Sequence, residues 1–246
     1  MYYFDINSCF YKYLKSKGIV IVDDFKNEEK NDDINLPKIE EQIEVINEFH
    51  KRTLGYTGYM NKRLDNNVGK LVEEYKIYIN WLKRDINNIY EKSEFQKIIK
   101  EVGKKYLEKA QKSITDIYEN NYICILKRSS KRKEVGIKNT YFNNLRQRNN
   151  IEIINIDGCS YNMVEIDAIS FLKKLRKKRI DIDMDYIINK FCSIENLDRD
   201  SVEFISSILN YPYEFMKCCN KYRFRSKSLD EEKYVTKLKK IVEYKN

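Results

Sequence analysis

The chain has 246 residues, of which 47 are Lys or Arg and 38 are Asp or Glu, so its formal net charge is +9. A hydrophobic content of 42% excludes a disordered chain, and no apolar run approaches the roughly 18 residues that a membrane span needs. We therefore expect a soluble protein made in the cytoplasm, with one large or two small domains. A single His and the lack of a C-x-x-C pair argue against zinc, and the sequence predicts no metal site.

The N-terminal part of the chain combines short elements with an acidic segment. Residues 5–17 predict a helix that ends at Gly18, and the apolar residues 19–22 predict a strand. Residues 23–35 are acidic and rich in Asn, and their lack of periodicity predicts a loop. Pro37 then opens a helix whose apolar face is formed by Ile39, Ile43, Ile46 and His50. On that face, His50 is interpreted as a packing histidine.

Two long amphipathic helices follow. Apolar residues repeat at spacings of three and four between residues 68 and 89, and again between residues 95 and 117. Two such stripes joined by a short link predict an antiparallel helical hairpin. The pattern then changes, because the runs at 122–126 and 151–156 are rich in β-branched residues and predict strands.

The remainder of the chain is helical again in its pattern. Helices are predicted near residues 164–178, 184–193, 200–209, 212–224 and 230–244. Asp181, Asp183 and Asp185 precede or begin one of these helices, which favours helix capping over calcium binding. The sequence therefore predicts a predominantly helical α+β fold with a small β element in its middle.

The chemistry of greatest interest lies in residues 133–145 and 153–159. A loop, an Asn five residues later, a short spacer and an apolar strand with a polar end form the layout of a kinase catalytic loop and metal-binding strand. Phosphoryl transfer uses one carboxylate as a base, and a second carboxylate with an amide to hold Mg²⁺. The chain places Asn139 and Asn155 at the two carboxylate positions and Asn144 at the amide position.

Residues 41–245 resemble the spore-coat CotS family, which belongs to the aminoglycoside phosphotransferase and choline-kinase-like group. The resemblance depends on the order and spacing of several short motifs rather than on any one of them. These motifs are FHKRTLGY at 49–56, VGKL at 68–71, IDGCSY at 156–161, EIDAISF at 165–171, YPYEF at 211–215, NKY at 220–222 and a C-terminal tail from Glu232 to Ile241.

The resemblance implies the C-terminal lobe of a kinase-like fold with a missing or minimal N-terminal lobe. Residues 1–35 would be the remnant of the N-lobe and residues 36–246 the helical C-lobe. The family's catalytic His-x-Asp aligns with residues 137–139, its metal-binding Asp aligns with Asn155, and Asp157 matches a later acid of that strand. The family position of Asp167 implies a hydrogen bond to a loop backbone.

These departures predict a catalytically inactive, kinase-like structural or binding component of the spore coat. An amide cannot act as a base at neutral pH, and no Gly-rich phosphate-binding motif occurs, so no cofactor or nucleotide-binding residue is predicted. The resemblance implies a location in the mother-cell cytoplasm or the spore coat and other coat proteins as partners. Self-association between the acidic residues 23–48 and the basic residues 127–148 is a further expectation.

Two alternatives remain open at this stage. One is a residual small-molecule phosphotransferase that uses Asp157 and Asn144. The other is a polyanion-binding module, although a solvated basic face is favoured and nucleic acid is not an expected partner. The candidate basic patch of that module consists of Lys127, Arg128, Lys131, Arg132, Lys133, Arg146 and Arg148.

Overall fold

The computed structural model of the chain describes residues 6–25, 34–60, 65–87, 93–224 and 231–243, with the side chains of residues 6–8 excepted. The predicted acidic loop at 23–35 and the link between the two long helices fall partly outside these residues. The described residues form two compact units, one built from residues 1–69 and 120–206 and the other from residues 70–119 and 207–246. Among the described residues, no helix is both long and apolar enough to cross a membrane.

The first unit contains the five strands found in the described residues. They are β1 (Ile19–Ile21), β2 (Val135–Gly136), β3 (Leu145–Gln147), β4 (Ile151–Ile153) and β5 (Ser160–Tyr161). β4 lies at the centre of a three-stranded sheet, parallel to β1 and antiparallel to β3, while β2 and β5 form a separate antiparallel pair. The alternate buried residues Ile151 and Ile153 explain the central position of β4, because both side chains are fully covered.

Helices surround these strands in the first unit. They are α1 (Ile6–Ser16), α2 (Leu36–Thr53), α5 (Tyr122–Arg132), α6 (Glu165–Lys177), α7 (Met184–Ile194) and the first part of α8 (Arg199–Asn210). The Asn35 side chain caps α2 and Asp183 caps α7, so the capping role predicted for Asp183 is confirmed. α2 packs against α7, β3 and β2, and its buried face includes Ile39, Ile43 and Ile46 as predicted.

The second unit is helical, and aromatic side chains fill its core. It contains the end of α8 and the helices α3 (Lys70–Asn87), α4 (Glu94–Glu119), α9 (Tyr213–Arg223) and α10 (Glu231–Glu243). α3 and α4 pack together as the predicted hairpin. Tyr106 stacks on Phe215 with ring centroids 3.8 Å apart, and Phe95 stacks on Tyr222 at 3.7 Å. This predominantly helical α+β fold agrees with the class predicted from sequence.

One predicted strand is wrong, because residues 122–126 begin helix α5. A strand would bury alternate residues, whereas the buried residues here are Tyr122, Ile125 and Ser129, at helical spacing, and Ile123 is half exposed. Tyr122 also stacks on Phe204 of α8 at 5.5 Å between ring centroids. Tertiary packing therefore overrides the β preference of this short run.

Arg128 in α5 links two fully buried carboxylates. Its Nε lies 3.1 Å from Glu134 Oε1, its Nη2 lies 2.8 Å from both carboxylate oxygens of Glu165, and its Nη1 donates to Ser201 Oγ at 3.1 Å. Burial raises the pKa of Glu165, although the Arg128 charge opposes this shift. Removing the cation would leave the buried Glu165 uncompensated and Glu134 with only the more exposed Arg132 as its partner.

We therefore expect Arg128→Leu to lower the free energy of unfolding by about 3–5 kcal/mol in urea titrations at pH 7. Arg132→Leu is the matched control, because Arg132 lies on the same helix and reaches Glu134 at 3.6 Å with a more exposed side chain. The control should cost below about 1 kcal/mol. Equal losses for the two variants would contradict the structural role of the Arg128 cluster.

Candidate functional site

Two loops of the first unit lie side by side because of how the strands pair. Residues 137–144 connect β2 to β3, and residues 154–159 connect β4 to β5. β2 pairs with β5, and β3 pairs with β4. Each loop therefore runs from one of these strand pairs to the other, so the two loops lie next to each other. We call residues 137–144 the catalytic-type loop and residues 154–159 the acidic turn. The strand pairing thus brings together the four polar residues that the sequence analysis singled out.

A buried carboxylate holds the start of the catalytic-type loop. Asp167, in the first turn of α6, accepts hydrogen bonds from the backbone N–H groups of Ile137 and Lys138, each at 2.7 Å. Two successive N–H groups converge on one side chain, and Lys138 adopts a left-handed conformation with φ of 71°. The loop-backbone hydrogen bond expected for Asp167 is therefore present in the structure.

His50 ties that carboxylate to a second one. Its Nε2 lies 2.9 Å from Asp167 Oδ2, and its Nδ1 lies 2.6 Å from Glu195 Oε1 at the C-cap of α7. All three side chains are buried. Burial alone would lower the pKa of His50, but the charges and hydrogen bonds of Glu195 and Asp167 outweigh burial and raise this pKa to about 10. His50 is therefore an ion-paired cation as well as a packing residue.

Asn144 joins the catalytic-type loop to the acidic turn. Its side-chain NH₂ group donates to the carbonyl of Asn139 at 2.8 Å and to the carbonyl of Asn155 at 3.2 Å. Its Oδ1 accepts from the backbone N–H of Asn155 at 2.8 Å. Asn144 is 1% exposed, so these bonds satisfy an amide that would be costly to bury alone. The amide acts as a clamp between the two loops.

The acidic turn presents one exposed carboxylate. The backbone N–H of Asp157 donates to Asn155 Oδ1 at 2.7 Å, and Asn155 Nδ2 donates to Asp157 Oδ2 at 3.2 Å. Next to it, Gly158 approaches the other loop so closely that a Cβ would lie 3.0 Å from the carbonyl oxygen of Ile137. A side chain at this position would therefore crowd the catalytic-type loop where the acidic turn meets it.

The structure places a cation, Lys174, beside the catalytic-type loop. The Nζ of Lys174, on α6, donates to the side-chain oxygen of Asn139. Lys174 also lies over the ring of Tyr141, which belongs to the catalytic-type loop. The sequence spacing indicates this contact, because Asp167 and Lys174 are seven residues apart and lie on nearly the same face of α6. The contact that fixes Asp167 against the catalytic-type loop therefore also directs Lys174 toward the same loop.

Magnesium is the metal that this constellation could hold. Within the described part of the chain, no group of three or more His, Cys, Asp or Glu side chains is arranged to hold a metal ion. Magnesium in phosphoryl-transfer sites is often bound by one or two carboxylates together with substrate phosphates, and Asp157 supplies one carboxylate. The amide oxygens of Asn139, Asn144 and Asn155 already accept hydrogen bonds, so the exposed Asp157 carboxylate is the group that would hold such an ion weakly.

The candidate basic patch does not form a set of free cations. Arg128 belongs to the buried cluster with Glu134 and Glu165, Arg132 reaches Glu134, and Arg146 lies 2.6 Å from Glu152. The remaining members of the patch are exposed: Lys127, Lys131, Lys133 and Arg148. Three of seven cations are thus engaged with carboxylates, which weakens the polyanion-binding alternative.

Comparisons with known proteins identify the fold. No protein-family model matches the chain, and no curated protein matches it. Its structure is similar to the crystal structure of an aminoglycoside phosphotransferase from Alicyclobacillus acidocaldarius subsp. acidocaldarius DSM 446, with a TM-score of 0.63 at 14% sequence identity. The likeness covers 84% of this chain and 62% of the length of that protein. The chain therefore has the kinase-like fold of an aminoglycoside phosphotransferase.

This likeness corrects the prediction that the chain is not an enzyme. The prediction depended on the amides at Asn139 and Asn155 and on the lack of a Gly-rich phosphate-binding motif, but the protein that shares the fold is a phosphotransferase. Two substitutions do not establish inactivity, because the loop geometry remains organised and a carboxylate, Asp157, lies beside Asn155. Membership of the spore-coat family, the N-lobe boundary at residue 35 and self-association stay predictions.

The raised pKa of His50 makes stability depend on pH. The protonated ring is favoured in the folded state, so its contribution is fully present below about pH 6.5 and is lost as the pH rises through about 10. We expect the difference in unfolding free energy between the wild type and His50→Gln to fall by up to about 1.4 kcal/mol per pH unit across that window. Urea titrations at several pH values measure this difference. A difference that does not change with pH would contradict a charged His50.

Proposed function

We propose that the chain is a small-molecule phosphotransferase with slow turnover. The observation that carries this proposal is the catalytic-type loop, which Asp167 fixes at its start and Asn144 clamps to the acidic turn. Phosphoryl transfer depends mainly on positioning and electrostatics, and little covalent chemistry falls to the protein. A loop that is held at both ends supplies the positioning that this reaction needs.

The proposed reaction moves the terminal phosphoryl group of a nucleoside triphosphate to an acceptor hydroxyl. The bond between that phosphorus and the diphosphate breaks, a new P–O bond forms to the acceptor, and the hydroxyl proton passes to solvent or to a phosphate oxygen. Asn139 cannot accept this proton, and general-base catalysis contributes roughly 10²–10⁴-fold in rate. The lack of a base at this position is therefore expected to slow the reaction by about that factor rather than to abolish it.

The charged side chains around the loop have distinct roles in this proposal. Asp157 is the residue that would hold Mg²⁺, which when bound neutralises charge on the phosphates. Lys174 lies beside Asn139, where its ammonium group adds positive charge next to the catalytic-type loop and favours the binding of an anionic substrate. The spore-coat location implied by the sequence resemblance stays a prediction that is independent of these roles.

We expect millimolar Mg²⁺-ATP to raise the melting temperature by about 5 °C and to yield slow ADP formation with at least one acceptor. The acceptors to compare are an aminoglycoside, a neutral polyol and a phosphorylated sugar, with ³¹P NMR as the readout. Asp157→Asn should remove both effects, because it deletes the carboxylate while keeping the shape of the side chain.

Asp181→Asn is the matched control for this experiment. Asp181 is an exposed acid between α6 and α7 and lies outside both loops, so its loss should leave the thermal shift and the ADP signal unchanged. If the wild type shows neither a thermal shift nor ADP formation with any acceptor, the proposed function is wrong. If both Asp variants retain the wild-type signal, Asp157 has no role in it.

A further inference from the structure

Two lysines of α6 and its C-cap converge on one aromatic ring beside the catalytic-type loop. The Nζ of Lys174 lies 5.3 Å from the centroid of the Tyr141 ring, and the Nζ of Lys178 lies 4.9 Å from it. The ring itself is held in place, because Tyr141 is 6% exposed and packs edge-on against Phe142 with centroids 5.0 Å apart. Two positive charges are thus kept close together against a fixed surface.

No carboxylate compensates this pair in the described part of the chain. Neither Lys174 nor Lys178 lies within 4.0 Å of an Asp or Glu oxygen there, whereas several other cations of the same unit are ion-paired. Burial lowers the pKa of Lys174, and the charge of Lys178 lowers it further. Cation–π contacts at partly exposed sites are weak, so an anion would stabilise the pair further.

The amide of Asn139 is oriented to add a donor to this group. Its Oδ1 accepts from Lys174, and its NH₂ group has no hydrogen-bond partner among the described residues. The position that the sequence resemblance assigns to an acceptor carboxylate therefore holds an amide that contacts a lysine. A proton acceptor is replaced by a group that can hold an anion.

We propose that Asn139, Lys174 and Lys178 bind a phosphate monoester group of a small-molecule ligand. A phosphate monoester carries a charge of about −1.5 to −2 at pH 7, which matches two ammonium groups. The amide NH₂ of Asn139 can donate to a third phosphate oxygen. What this site means for the reaction rests on the proposed function. If the chain is a phosphotransferase, the preferred acceptor already carries a phosphate, and a polycationic acceptor is repelled.

Binding of inorganic phosphate tests this site without nucleotide or turnover. The chain is labelled with ¹³C-lysine, and the ε-methylene signals are followed during a phosphate titration at constant ionic strength of 0.15 M. We expect saturable shifts of the Lys174 and Lys178 signals, and an apparent dissociation constant that is about 10-fold weaker in Lys174→Gln. Chloride at the same ionic strength should leave these signals unshifted.

Lys177→Gln is the matched control, since Lys177 is an exposed residue of the same helix end whose removal changes the net charge equally. The control should retain wild-type phosphate affinity. Non-saturating shifts shared by all lysines, or equal weakening in Lys174→Gln and Lys177→Gln, would overturn the site and indicate general electrostatic attraction only.

The outcome is separable from that of the proposed function. Phosphate binding that depends on Lys174, in a chain that never forms ADP, would support the site and refute the transferase. ADP formation with a neutral polyol or an aminoglycoside that exceeds the rate with a phosphorylated sugar would support the transferase and refute a phosphorylated acceptor.

Discussion

The hydrogen bonds from two successive backbone N–H groups to the Asp167 carboxylate are the contact on which the rest of the site depends. They fix Ile137 and Lys138 at the start of the catalytic-type loop, and the loop then reaches Asn144, which binds the acidic turn. Because Asp167 lies on α6, the same contact sets the register that brings Lys174 to Asn139. One buried carboxylate thereby positions the catalytic-type loop, the acidic turn that is bound to it, and Lys174.

The structural ionisable groups differ from the functional candidates in whether an oppositely charged side chain lies next to them. The buried acids are neutralised by specific partners: His50 bridges Asp167 and Glu195, and Arg128 bridges Glu134 and Glu165. Such pairs are typical of groups whose loss would leave a buried charge alone. Lys174 and Lys178 differ, because they face a ring rather than a carboxylate in the described residues. This contrast is why the lysine pair, and not the buried clusters, is assigned to ligand binding.

Periodicity predicted most of the helices, and local patterns brought Asn139, Asn144, Asn155 and Asp157 to attention as one group. What periodicity could not supply was any contact that depends on distant packing. The run at 122–126 becomes helical because Tyr122 stacks on Phe204, which is far away in sequence. His50 contacts Glu195, which lies 145 residues away in sequence. Asn139 contacts Lys174, which lies 35 residues away. The inference of inactivity is corrected by the similarity of the fold to that of a phosphotransferase, which side-chain identity at single positions could not reveal.

Amide hydrogen exchange at Ile137 and Lys138 tests the central claim most directly. Asp167→Asn replaces a carboxylate that accepts two N–H bonds with an amide that has one acceptor oxygen, so one N–H group must lose its partner. We expect both amides to be protected in the wild type and at least one of them to exchange at least roughly 10-fold faster in the variant, relative to the amide of Ile153 in β4. Unchanged protection of Ile137 and Lys138 in Asp167→Asn would show that the loop is held by other contacts and would contradict the account.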